Sequence, residues 1–200
     1  MKEFSIFSVS IINLLIGIRY CVLIYKKEIK PALAMWAFFT LAVIMSLITY
    51  LGEGNFSIWD NILNTTDIIL VTTVSIFIFI YGDKSSKFNT FDIGCLIAVL
   101  TIVVFWIISK NHLITNLLIQ IILVISYFPV IRRLFKLKEN TEPFSVWIAM
   151  MLAPMLALLS SKGLLATVYS VRAIICVGLL LLLMLRIEYL FKKKTQKQVL

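Results

Sequence analysis

The sequence predicts an all-α membrane protein of seven transmembrane helices, arranged as two parallel three-helix bundles joined by a linker helix (3+1+3). Three observations carry that prediction. The 200 residues are 61% hydrophobic, with a mean hydropathy of +1.01. Soluble domains average roughly 45–50% apolar residues, so too little polar surface is present to coat a globule in water. Apolar runs of about 20 residues, the length that crosses a bilayer, recur along the chain. Finally, residues 34–52 and 145–163 are nearly one segment written twice at a fixed offset of 111 positions.

The repeat is read from particular residues. Trp36 aligns with Trp147, Leu41 with Leu152, Ala42 with Ala153, Leu47 with Leu158 and Gly52 with Gly163, without a gap. Thr49 and Ser160 place a hydroxyl at the same point, and Lys27 and Glu28 align with Lys138 and Glu139. Charges and tryptophans keep the register, which chance similarity between two Leu/Ala-rich helices does not require. The predicted spans are 4–25, 32–51, 59–81, 91–109, 113–135, 144–161 and 164–191. The first repeat occupies 1–82, the linker helix 83–112, the second repeat 113–191 and a basic cytoplasmic tail 192–200. One linker span between two sets of three gives both sets the same orientation. Strands are excluded because the runs are too long and too uniformly apolar for the alternation of a membrane barrel. Met1-Lys2-Glu3 turns apolar at once and shows no cleavage site, so the first span is expected to be retained.

The formal charge is +9. This is not a nucleic-acid signature, because the basic residues alternate between connecting segments. Thirteen of them (Lys26, Lys27, Lys30, Lys84, Lys87, Arg132, Arg133, Lys136, Lys138, Lys192, Lys193, Lys194 and Lys197) fall in one set of segments, and only Lys2, Lys110 and Lys162 in the other. Positive charge stays on the cytoplasmic side, which predicts an external N-terminus and a cytoplasmic C-terminus. Trp36, Trp59, Trp106 and Trp147 fall near span ends and read as an interfacial aromatic belt. Cys21, Cys95 and Cys176 lie inside spans with no metal-ligand spacing and read as small buried hydrophobes.

Ionisable side chains inside a span are costly and are functional candidates by default. The third span opens Asp60-Asn61-Ile62-Leu63-Asn64-Thr65-Thr66-Asp67. Helical spacing puts Asp60, Asn64 and Asp67 on one face. Asp60 and Asn61 suit helix capping, but Asp67 lies about 12 Å inside the span, counted from Trp59, and does not. The seventh span carries Tyr169, Ser170 and Arg172, with Arg172 aligned to Asn61 at the repeat offset. We expect Asn64, Asp67, Tyr169 and Arg172 to line one polar cavity opening to the outside, with Asn61 and Tyr50 as further binding residues. Paired charges would favour a charged or zwitterionic solute over a neutral sugar. The alternative leaves Arg172 reaching outer headgroups and Asp67 alone as a neutral acid. Arg19 and Arg186 can snorkel to the cytoplasmic face. Asn13 and Gln120 are midspan amides of the kind that bond neighbouring helices. Pro129 and Pro154 interrupt spans five and six, as static kinks or as hinges. His112 is read as a solvated loop residue. No nucleophile, metal cluster or phosphate-binding loop can be assembled, so neither an enzyme nor a cofactor is expected.

Two local patterns resemble the SWEET and PQ-loop transporter family. One is Ser126-Tyr127-Phe128-Pro129-Val130-Ile131-Arg132-Arg133, followed by a basic loop and then Pro143-Phe144-Ser145-Val146-Trp147. Val130 stands where the family has glutamine, and the first repeat has Ile18-Arg19 with no proline. The other is Tyr50-Leu51-Gly52, then Trp59 and Asn64. The resemblance implies the 3+1+3 architecture, alternating access through a central cavity, and a substrate-facing role for Asn64. Position 175, the repeat partner of Asn64, is isoleucine, so the family's paired asparagines are broken. The partners implied are a small-molecule solute and the lipid bilayer; nothing in the sequence signals an oligomeric state. A non-transporting membrane receptor or assembly factor on the same fold is the alternative, because fold does not fix function.

Overall fold

The computed structural model of the chain describes residues 1–29, 31, 33–82, 90–137, 140 and 142–199. Those residues are helical or in short connections, and no strand occurs among them. The helices are α1 (Lys2–Tyr25), α2 (Leu33–Glu53), α3 (Ile62–Tyr81, entered through a 3-10 turn at Ile58–Asn61), α4 (Thr90–Ser109), α5 (His112–Ile125), α6 (Phe128–Leu137), α7 (Phe144–Ala157) and α8 (Gly163–Val199). Among the described residues, five stretches are long and apolar enough to cross a membrane: Lys2–Tyr25, Leu33–Glu53, Ile58–Tyr81, His112–Lys136 and Gly163–Leu190. α7 is shorter. At 1.5 Å per residue the 14 residues of α7 rise only about 21 Å, less than a bilayer core of about 30 Å. Of the basic residues that set the predicted orientation, Lys30, Lys84, Lys87 and Lys138 lie outside the described residues.

Local chemistry explains where helices start and break. Ser57 and Asp60 close a capping box at the turn before α3, and the Asn61 side chain accepts from the Asn64 amide to cap α3 itself. Asn111 caps α5 in the same way through the Ile114 amide. The single span predicted over 113–135 is two helices. Pro129 has no N–H to give and its ring crowds the carbonyl four residues back, so the helix breaks at Ser126–Tyr127. Pro154 sits inside α7 without ending it. Gly163, at φ +81°, starts α8 in a left-handed conformation, where the Phe56 ring lies too close for a Cβ.

Packing is two-sided. α3 packs on both α1 and α2, and α8 packs on both α5 and α7. Between these groups, α2 lies on α5 and α1 lies on α7, while α4 rests on α5 and α2. The core holds Trp36 and Trp147, each almost wholly buried. That corrects the belt reading for these two residues. Each indole packs on a tyrosine of a neighbouring helix: Tyr20 on Trp36 (centroids 5.0 Å) and Tyr127 on Trp147 (6.2 Å). Trp59 remains exposed. His112 is also more than a solvated residue: its Nδ1 accepts from the Trp106 indole (3.1 Å) and its ring fills the space beside Gly52.

Candidate functional site

Three polar layers cross the bundle. The first lies at the end that carries Lys2. The Lys2 ammonium donates to Asp60 Oδ1 at 2.7 Å, while Oδ2 accepts from the Ser57 amide and hydroxyl. The Asp60 carbonyl accepts from the Lys162 amide (3.0 Å), and the Lys162 carbonyl accepts from the Tyr50 hydroxyl (3.0 Å). Tyr50 stacks on Phe56, with centroids 4.8 Å apart. Ser5 donates to the Leu156 carbonyl (2.6 Å) and meets Ser160 (2.8 Å). Together these bonds tie α1 and the loop before α3 to the α7–α8 turn, so the bundle is closed at this end. Tyr50 and Asn61 act here as a tether and a cap, and neither reaches the central cavity.

The middle layer contains the charges. Asp67 of α3 accepts from Asn13 of α1 (2.8 Å) and from the Tyr169 hydroxyl of α8 (2.8 Å). Arg172 lies with its guanidinium 4.8 Å from the centre of the Tyr169 ring, and its Nε donates to Gln120 of α5 (3.3 Å). Asp67 and Arg172 thus share Tyr169 and form no direct ion pair. Buried charge is tolerable only with such partners. Asn13, Asp67 and Arg172 line a cavity of about 30 Å³, together with Trp36, Phe39, Tyr127 and Pro154. That volume is about one water molecule's share of the liquid. The sequence predicted that this cavity opens outward; at the Lys2 end the bonds among Lys2, Asp60, Lys162 and Tyr50 cross the bundle.

Asn64 is drawn away from this cavity. Its amide lies on the α2 backbone, donating to the Val43 carbonyl (3.0 Å) and accepting from the Ser46 hydroxyl (2.9 Å). Ser46 also accepts from Gln120 (3.2 Å), and Asn116 donates to the Ser46 carbonyl and to Thr49. A continuous polar thread therefore runs from Asn64 through Gln120 to Arg172. Asn64 joins the network but not the cavity wall.

The third layer lies at the opposite end and was missed by sequence reasoning. Glu142, only 4% exposed, accepts from Tyr20 (2.8 Å) and from the Trp147 indole (3.2 Å), and it is ion-paired with Arg133. It joins α1, α6 and α7. Burial pushes the Glu142 carboxyl above its ordinary range, and Arg133, Tyr20 and Trp147 pull it back. Its neighbours in the sequence are Lys138, Glu139 and Asn140, so it reads as part of a solvated loop. The usable signal was its place just before a tryptophan-bearing helix and after the Arg132-Arg133 pair.

The midspan amides do more than the sequence indicated. Asn13 stands seven residues before Tyr20, and Gln120 seven before Tyr127. Asn13 holds Thr66 (2.7 Å) and Asp67 of α3, and Gln120 holds Arg172 of α8. Arg172 therefore sits at the depth of Thr66 and Asp67. Asn61, the residue that the 111-position offset assigns to it, caps the helix end instead. The longer connection before α3 shifts the register of the third helix. Among the described residues no group of three or more His, Cys, Asp or Glu is placed to hold a metal ion. No family model, curated protein or solved structure matches the chain.

Proposed function

We infer that the chain is a small-solute membrane transporter of the PQ-loop and SWEET-like type, with seven spans in a 3+1+3 arrangement. One observation carries this reading. A carboxylate and a guanidinium from corresponding helices meet at one depth, between polar closures at both ends. α1–α3 and α5–α8, without the linker α4, exchange roles about an axis along the membrane normal. The contact of α2 on α5 is matched by α7 on α1, Tyr20–Trp36 by Tyr127–Trp147, and Asn13–Asp67 by Gln120–Arg172. Parallel repeats of this kind bind solute near the bilayer midplane at their interface. The distribution of basic residues puts the Lys2 end outside and the Glu142 end in the cytoplasm. With polar bonds crossing the bundle at both ends, this arrangement corresponds to an occluded state. Opening it requires breaking one closure at a time, and Pro129 and Pro154 stand where a hinge would serve each. The solute is polar or charged, to match the Asp67 carboxylate and the Arg172 guanidinium that line the cavity.

The test is flux. Purified protein in liposomes is offered labelled sugars, vitamins, amino acids and organic anions. Uptake of one of them is expected, with Asp67→Asn abolishing or uncoupling it while the variant stays folded. Normal transport by Asp67→Asn removes Asp67 from the mechanism. Silence across the panel, with stable binding of a peptide, instead favours the receptor or assembly factor on the same fold.

A further inference from the structure

The wall between α1 and α3 on the outside of the bundle is concave. A groove of about 730 Å³ runs along it, from Ser10 and Trp59 at the Lys2 end to Tyr25 and Phe77 near the opposite end. Ser10 to Tyr25 is a rise of about 22 Å along α1, deeper than the roughly 15 Å of one leaflet's hydrocarbon. Gly17 leaves the floor low, with Leu70 packed beneath it. Leu14, Ile18 and Ile69 form exposed apolar rims. The hydroxyls in the wall are turned inward. Ser10 donates to the Ile6 carbonyl, Thr65 to Ile58 and Thr66 to Ile62, so they present carbon to the groove.

A second concavity of about 610 Å³ continues the groove at the Lys2 end. It shares Ser10 and Trp59 with the groove and adds Lys2 and Glu3. Lys2 is about half exposed there, although one of its hydrogens is given to Asp60. The two concavities together form one amphipathic site, with the Lys2 ammonium, the Glu3 carboxylate and the Trp59 indole at headgroup level and a long apolar channel below. Tryptophan favours that level of a membrane, and a lysine there attracts anionic groups.

We propose that this site binds one phospholipid of the leaflet at the Lys2 end, its phosphate against Lys2 and one acyl chain along the α1–α3 groove. The inference does not rest on transport. The site touches both the closure at Lys2–Asp60 and, through Asn13 and Thr66, the back of the Asp67 cluster, so the bound lipid braces α1 against α3.

Native mass spectrometry in a delipidating detergent tests it, with phosphatidylglycerol added as the probe. One retained lipid per chain is expected. Thr73→Trp, which fills the groove from its exposed wall, lowers retention about tenfold, equivalent to about 1.4 kcal/mol. Lys2→Ala lowers it as well, and diacylglycerol with the same chains binds more weakly than phosphatidylglycerol. Leu179→Trp, on the exposed face of α8, leaves retention unchanged. Equal losses from Thr73→Trp and Leu179→Trp would mean ordinary solvating lipid and overturn the proposal. So would a doubled mass without lipid, which would make the groove a contact between two chains. Retention that is indifferent to both Thr73→Trp and Lys2→Ala places the lipid elsewhere and also overturns it.

Discussion

The two ends of the bundle are closed by different kinds of chemistry. At the Glu142 end one buried carboxylate gathers a guanidinium, a phenol and an indole from three helices. At the Lys2 end only the lysine of the charged pair meets water: Lys2 is 54% exposed and Asp60 7%, and backbone bonds and a stacked ring pair do the rest. Removing one partner of a buried ion pair strands the other, at about 3–5 kcal/mol. Removing Lys2 costs less, about 1 kcal/mol, because its ammonium is half in water and Asp60 keeps both donors from Ser57. The Lys2 closure should therefore yield first. On the transporter reading proposed above, the Glu142 end rests firmly shut and the Lys2 end lightly held.

The largest effect expected is on stability. Glu142→Ala leaves Arg133, Tyr20 and Trp147 without their acceptor and should destabilise the purified protein by about 3–5 kcal/mol, read as a clear fall in Tm. Lys2→Ala should cost about 1 kcal/mol or less. Equal losses would erase the distinction between the two ends.

The next effect is on access. In a background lacking Cys21, Cys95 and Cys176, a cysteine at Ser160 reports the outer closure, since Ser160 is buried against Ser5. Lys2→Ala should speed its modification from the Lys2 side about fivefold, the factor that about 1 kcal/mol of lost closure allows. A cysteine there that reacts at the same rate with and without Lys2 would show that the ion pair holds nothing shut.

Much of this was legible in the sequence, for physical reasons that can be named. A 20-residue apolar run admits few structures in lipid, so the helices could be placed. Asp67, Tyr169 and Arg172 stood out because charge in such a run needs a partner, and the fold does bring them together. The i, i+3 spacing that joined Asn64 to Asp67 was too coarse. The two side chains differ by a sixth of a turn, enough for α2 to take one and the cavity the other. The repeat offset failed beyond Gly52 and Gly163 because the connections that follow differ in length. Burial of Trp36 and Trp147 could not be read from their position at span ends, since it depends on how the preceding segments pack back, laying Tyr20 and Tyr127 over the two indoles. Glu142 was invisible because a carboxylate in a charged loop looks solvated until folding brings Tyr20, 122 positions away, onto it beside Arg133 and Trp147.

The smallest effect is also the most specific to Glu142, and it is a pH dependence with a definite sign. Burial holds the folded carboxyl above its ordinary value, against the pull of Arg133. The folded protein therefore binds this proton more tightly than the unfolded chain. Its contribution is complete below the ordinary glutamate pKa and is lost as pH rises through the folded value. Glu142→Gln keeps an acceptor for Tyr20 and Trp147 but carries no charge at any pH, so it imitates the protonated side chain. Wild type and Glu142→Gln should have similar Tm values in acid, and wild type should fall behind as the pH rises. The difference of the two melting curves, taken across the pH range, isolates Glu142 from every other titrating group. If wild type instead gains on Glu142→Gln with rising pH, attraction to Arg133 outweighs the cost of burying the carboxylate. The Glu142 closure would then be held by charge and strengthened by alkali, the reverse of the behaviour argued from its burial.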